Sequence, residues 1–153
     1  MLTASTAVPH TRVLAEMLGN DNVLFVTLEP FGSSVKPLQE KFRHVPVYVK
    51  DLKINLLTKA YSFKSIPSDL EHIILDHSIE YILAISTLAG SLAYLLHKKL
   101  TLPYYVSFYE PHAAYMLESR VWKKFDPRYI FQKKWERLQA KHADGLILVS
   151  EHF

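Results

Sequence analysis

From Leu102 to Met116 the chain reads LPYYVSFYEPHAAYM, and no other stretch limits its architecture so much. Pro103 opens a run of β-formers, Tyr104-Tyr105-Val106-Ser107-Phe108, that stops at the polar cluster Tyr109-Glu110-Pro111-His112. In an α/β domain a buried parallel strand ends in this way at the carboxyl edge of its sheet, where ligands usually sit.

The rest of the chain alternates between the two periodicities. A helix starts near Pro9 with Val13, Leu14, Met17 and Leu18 on one face, and Gly19 stops it. Val23 to Leu28 is an apolar β-branched run, hence a buried strand. A loop from Glu29 to Ser34 and a short helical piece to about Phe42 lead to a strand at Val45–Val49, whose Pro46 predicts a place near a sheet edge. Residues 52 to 77 read as helix interrupted around Ser65-Ile66-Pro67, with Leu70, Ile73, Ile74 and His77 facing inward in the second part. Tyr81 to Leu96 is uncharged but too short for a spanning helix of about 20 residues. Ser86-Thr87 and Gly90-Ser91 break it, so it divides into a strand at Glu80–Ser86 and a helix at Leu88–Lys99. Ala113 to Phe125 is irregular or short-helical. Asp126-Pro127 then begins a helix with Phe131, Trp135 and Leu138 toward the core and Lys133, Arg137 and Lys141 on the other side. Leu146 to Val149 is a final strand ending at Ser150-Glu151.

Strands alternating with helices predict a parallel sheet with right-handed crossovers: an α/β, Rossmann-like three-layer sandwich in one domain over residues 1–153. Such a domain opens with a strand, for which only Met1 to Ala7 is available, so the first strand is expected to be missing or shortened. The chain reads like a piece of something longer.

The totals narrow the function classes. The apolar fraction of 49% and charged fraction of 22% are ordinary for a globular chain, and a net charge of +3 is too small for a nucleic-acid binder as a whole. With no cysteine there is no thiolate chemistry and no disulfide framework. No signal peptide is visible at the N-terminus, and the expected location is cytoplasmic, extending to the inner face of the membrane.

Three stretches resemble the N-terminal half of family 4 glycosyltransferases of the GT-B fold. They are Phe108–His112 with Ala114–Ser119 and Val121-Trp122 behind it, Trp135-Glu136 with His142-Ala143-Asp144-Gly145, and Ile147–Glu151. The resemblance implies a retaining, metal-independent enzyme in which this half holds the acceptor, a sugar or lipid-linked sugar. A C-terminal half, absent here, would hold a nucleotide-sugar donor. No cofactor is expected. The chain departs from the family in carrying Tyr109 where many members have histidine, so a histidine role does not transfer to that position. Such a half would be inactive alone, and would work with a donor-domain chain or as a homo-oligomer. The alternative is a non-catalytic Rossmann-like binding or regulatory module.

Each candidate site carries a structural reading beside the functional one. Tyr109, Glu110 and His112 lie past the strand end, where an acceptor hydroxyl would approach, with His112 as the catalytic candidate. The structural reading is a loop in which Glu110 caps a helix and His112 is merely exposed. Ser86, Thr87 and Gly90 form a substrate-binding candidate, because small residues admit a ligand to the backbone at a helix start. Capping and tight packing are the structural account. Trp122, Lys123, Lys124 and Arg128 belong to a basic, aromatic-rich stretch from 120 to 141 that suits peripheral contact with an anionic membrane. An ordinary solvated helix face is its structural reading. His72, Asp76 and His77 have no further ligands converging in sequence, so no metal site is expected.

Overall fold

The computed structural model describes residues 9–32, 42–49, 56–108 and 111–148. The expectations for Met1–Ala7, for the loop and short helix between Ser33 and Lys41, for Tyr109 and Glu110, and for Val149 to Glu151 lie outside the described residues. The chain divides into two compact units, Met1–Leu70 and Glu71–Phe153.

In the first unit α1 (Pro9–Leu18) is followed by β1 (Leu24–Pro30), β2 (Arg43–Val49) and most of α2 (Leu56–Asp76). Gly19, at φ 85°, ends α1, and the Asn22 side chain donates to the Leu18 carbonyl at 3.0 Å. β1 and β2 pair in parallel, from Leu24 opposite Arg43 to Pro30 opposite Val49. Ala15 and Phe42 are buried together, with Val23 and Phe25 packed against them and the Phe25 and Phe42 rings edge to face at 5.3 Å. The expected inward face of α1 is corrected. Val13, Met17 and Leu18 are exposed, and the small Ala15 makes the close approach instead. The side chain of Leu14 lies outside the described residues.

α2 also departs from expectation, since it continues through Pro67 rather than breaking there. Proline removes one N–H from the helical ladder. Ile66 beside it is buried, and tertiary packing of this kind, rather than propensity, holds most protein helices.

The second unit contains β3 (Ile82–Ile85), α3 (Thr87–Leu100), β4 (Tyr104–Phe108), α4 (His112–Glu118), α5 (Pro127–His142) and β5 (Gly145–Leu148). Its sheet has the order β3-β4-β5 with both pairings parallel, Ala84 opposite Val106 and Val106 opposite Leu146. The class is therefore α/β with parallel strands joined through helices. It is a small, partial Rossmann-like arrangement, with two small sheets among the described residues.

Ala84, Ala93, Tyr104 and Val106 form the core of this unit, and Ala89, Tyr94, Ala140 and Ala143 bring α3 and α5 down onto them. Tyr104 ties the layers together. Its hydroxyl donates to the Gln139 carbonyl at 2.9 Å, its N–H to the Asp144 carboxylate at 2.9 Å, and its carbonyl accepts the Asp144 N–H at 2.9 Å. Burial, with Tyr94 and Asp144 adding to it, pushes the Tyr104 phenol up to about 12.

One finer expectation is refined in this unit and another corrected. In α5 Phe131, Trp135 and Leu138 are half-buried and Lys133, Arg137 and Lys141 exposed, as expected, but the buried positions are Tyr129 and Gln139. At the end of α2, Ile74 is buried but His77 is exposed. In β5, Leu146, Ile147 and Leu148 are each more than 40% exposed, because the strand pairs only with β4 among the described residues and so forms a sheet edge. No helix among the described residues is long and apolar enough to cross a membrane.

Candidate functional site

Parallel pairing carries the ends of β3 and β4 to one carboxyl edge, where Ser86 and His112 follow their strands. Ser86 donates its N–H to the Ser107 carbonyl at 3.3 Å and accepts the Gly90 N–H at 2.9 Å. Its backbone stands at φ 89° and ψ 161°, a region that only glycine enters readily. The Ser86 side chain makes no capping bond, so the first turn of α3 keeps N–H donors without a side-chain acceptor.

Thr87 begins α3, and its carbonyl accepts the Ser91 hydroxyl at 2.8 Å and the Gln139 carboxamide N–H at 3.3 Å. Gly90 is buried beneath that same carboxamide. A Cβ added at Gly90 would stand 1.7 Å from Gln139 Oε1, 2.8 Å from its Cδ and 3.1 Å from Val106 Cγ1. The space that the glycine leaves is filled by Gln139, not left open for a ligand. Gln139 Oε1 and Ser107 Oγ are buried and have no hydrogen-bond partner.

His112 is the first residue of α4 and is exposed. Its ring meets Trp122 edge to face at 5.5 Å and 86°, and the Arg128 guanidinium lies over the Trp122 ring, 5.8 Å from its centre. Arg128 is in turn paired with Asp126 at 2.7 Å. Asp126 caps α5 by accepting the Arg128 N–H at 2.8 Å, and the Arg128 side chain and N–H together hold its carboxyl below the usual range. Glu136, reaching across from α5, accepts the Ala113 N–H at 3.1 Å and a Gln132 N–H at 3.0 Å. This bond fixes the first turn of α4, and with it the position of His112.

The remaining sequence candidates fall as follows. Tyr109 and Glu110 lie outside the described residues. Lys123, Lys124 and Arg128 are exposed, whereas Trp122 is half-buried against His112 and Arg128. His72, Asp76 and His77 are exposed, and among the described residues no three His, Cys, Asp or Glu side chains converge.

Sequence reasoning missed two groups. Glu136 and Gln139 sit on a helix whose apolar periodicity draws attention to other positions; only the glycine opposite Gln139 signals it. In the first unit, Glu29 is 2% exposed with Oε1 unpartnered, and Thr27 Oγ1 and His44 Nε2 share a hydrogen bond of 2.9 Å. Burial lowers the His44 pKa, and the nearby Glu29 charge opposes that shift. Glu29 escaped notice because the strand was expected to end at Leu28, whereas β1 runs on to Pro30.

Chemically, the start of α3 offers uncapped helix N–H groups and the start of α4 an exposed imidazole, each suited to hydroxyl or anionic oxygen atoms. Comparison with protein-family models, curated proteins and solved structures gave no match for this chain.

Proposed function

We propose that the chain is the acceptor-binding half of a glycosyltransferase, holding the sugar or lipid-linked sugar that receives a glycosyl group from a nucleotide-sugar donor. The observation that supports this reading is that β3 and β4 run in parallel, with Ser86 and Thr87 directly after β3 and His112 four residues after the end of β4. In this proposal the α3 N–H groups and the Ser86 hydroxyl hold acceptor hydroxyls. His112 orients the reacting hydroxyl and accepts its proton as that oxygen bonds to the donor's anomeric carbon, while the bond from that carbon to the nucleoside diphosphate breaks and the nucleoside diphosphate departs with the electron pair. The Trp122 contact limits the swing of the imidazole, and the Glu136–Ala113 bond ties the first turn of α4 to α5.

The donor is held by the second half of the enzyme. Alone, the chain transfers little, because the rate depends on placing both substrates together. Peripheral cytoplasmic membrane contact would bring it to lipid-linked acceptors.

NMR titration with a panel of oligosaccharides tests the reading. The expected result is shifts in the His112 imidazole and in the Ser86 and Thr87 amides, with affinity falling about tenfold in His112→Ala. Shifts induced by nucleotides and not by sugars would overturn the acceptor assignment. Efficient transfer from a nucleotide sugar by the chain alone would overturn its incompleteness. One observation favours the alternative of a non-catalytic module: the opening at Gly90 is occupied by Gln139. That alternative predicts no sugar-induced shift at His112.

A further inference from the structure

Residues 119–126 connect α4 to α5, and they form an organised loop. Arg120 donates its N–H to the Leu117 carbonyl at 3.1 Å, Trp122 to Met116 at 2.9 Å, and Asp126 to Lys123 at 2.9 Å. Trp122 is half-buried, in contact with His112 and Arg128. With Trp122 turned in, its neighbours face out: Val121 is 57% exposed and Phe125 is 84% exposed. Large aromatic side chains are rarely so bare, and a cluster of exposed apolar side chains marks a contact surface.

The charges around these two residues indicate what the surface contacts. Arg120, Lys123 and Lys124 are all exposed in the same loop. Its one acid, Asp126, is already taken by Arg128 as the cap of α5. Three cations flanking two protruding apolar side chains complement a surface that is anionic at its face and apolar just beneath. A nucleic acid would satisfy the cations but would leave Val121 without a role.

We propose that loop 119–126 docks the chain on an anionic phospholipid bilayer. Phe125 and Val121 enter the headgroup–acyl boundary, and Arg120, Lys123 and Lys124 lie among the headgroups. The membrane-contacting residues thus differ from those the sequence suggested, because Trp122 serves as the anchor behind the loop and Arg128 as the partner of Asp126. The inference deepens the proposed function only in the choice of acceptor. Through Trp122 the loop is coupled to His112, so docking would present the candidate site to lipid-linked sugars.

The test is co-sedimentation of the full chain, without sugar, with phosphatidylcholine vesicles that contain or lack phosphatidylglycerol. Binding is expected only with phosphatidylglycerol and should weaken as salt is raised. Phe125→Ser should weaken it about tenfold, and the double change Lys123→Glu, Lys124→Glu should remove the preference for anionic vesicles. Met17→Ser, which alters an apolar residue exposed on α1, should leave binding unchanged. Circular dichroism checks that the variants stay folded, as expected for exposed positions. No binding to anionic vesicles would overturn the proposal. So would binding indifferent to Phe125→Ser, which would reveal a purely electrostatic contact such as that made by polyanions. Because no sugar is present, this outcome is independent of the sugar titration.

Discussion

The two units use the same kind of parallel ladder with different results. β1 and β2 are seven residues each and pair along their whole length, while β3 and β5 have only four residues. Yet the central strand of the shorter ladder, β4, holds Tyr104, Val106 and Ser107 with no exposed surface, although β5 beside it is exposed. The longer ladder buries Glu29, Val47 and Val49 less completely and exposes Val26 and Tyr48. Ladder length therefore does not make a core. α3 and α5 do, through alanines at Ala89, Ala93, Ala140 and Ala143 that let both helices come close to the sheet. Backbone pairing satisfies hydrogen bonds in either unit, but apolar burial needs a second layer.

The largest test of this contrast is Tyr104→Ala. Removing a fully buried aromatic should cost about 3–5 kcal/mol. Urea unfolding followed by tryptophan fluorescence reads it well, because both tryptophans, Trp122 and Trp135, lie in the second unit. A loss below about 1 kcal/mol, the worth of the phenol's hydrogen bond alone, would break the argument that α3 and α5 create the core. The same residue predicts an alkaline limb. Its phenol titrates at about 12 in the folded chain against 10.0 ordinarily, so the folded state keeps a proton that the unfolded state releases. Stability should be intact below pH 10 and fall as pH rises from 10 through 12, and Tyr104→Phe should flatten that limb.

A middle-sized effect is expected at Gly90→Ala. The added methyl gains helix propensity but displaces the Gln139 carboxamide and crowds Val106, for a net cost of about 1–2 kcal/mol. In a Gln139→Ala background most of the cost should disappear, because the nearest obstructing atoms are gone and only the contact with Val106 Cγ1 remains. A double-mutant cycle measures that coupling, and additive effects would show that Gly90 has another role.

The smallest effect belongs to the first unit. His44 holds its proton less tightly than an ordinary imidazole of pKa 6.5, mainly through burial. The unfolded state therefore binds more protons at acid pH, so stability is intact above 6.5 and falls as pH drops through the lowered value. His44→Gln should reduce this acid dependence, measured as the shift in urea midpoint between neutral and mildly acid pH. An unchanged acid slope would mean that the Thr27–His44 pair contributes nothing to it.

Much of the α/β framework was legible because its signals are local. Tyr104–Phe108 forms the strand that its β-formers announce, Asp126-Pro127 begins the helix that a capping acid and an N-terminal proline announce, and Gly19 ends α1. The end of β4 at Phe108 was legible for a related reason, since a polar cluster follows the run of β-formers directly in sequence. The misses share a cause as well. Apolar periodicity pointed α1 inward with Met17 and Leu18, and α5 inward with Phe131 and Trp135, but the closest contacts are made by Ala15 and Gln139. Periodicity reports which side chains could be buried, and helix approach selects among them.

The order of strands and helices, their parallel pairing and the polar ending of β4 follow from the chain itself, because each depends on neighbouring residues and their intrinsic torsional and hydrophobic preferences. The burial of Gln139 against Gly90, the strained backbone of Ser86, the inward turn of Trp122 and the outward Phe125 depend on residues distant in sequence. Those were decided only when α3, α4 and α5 packed, since close packing leaves room for one side chain at each contact and turns its neighbours toward solvent.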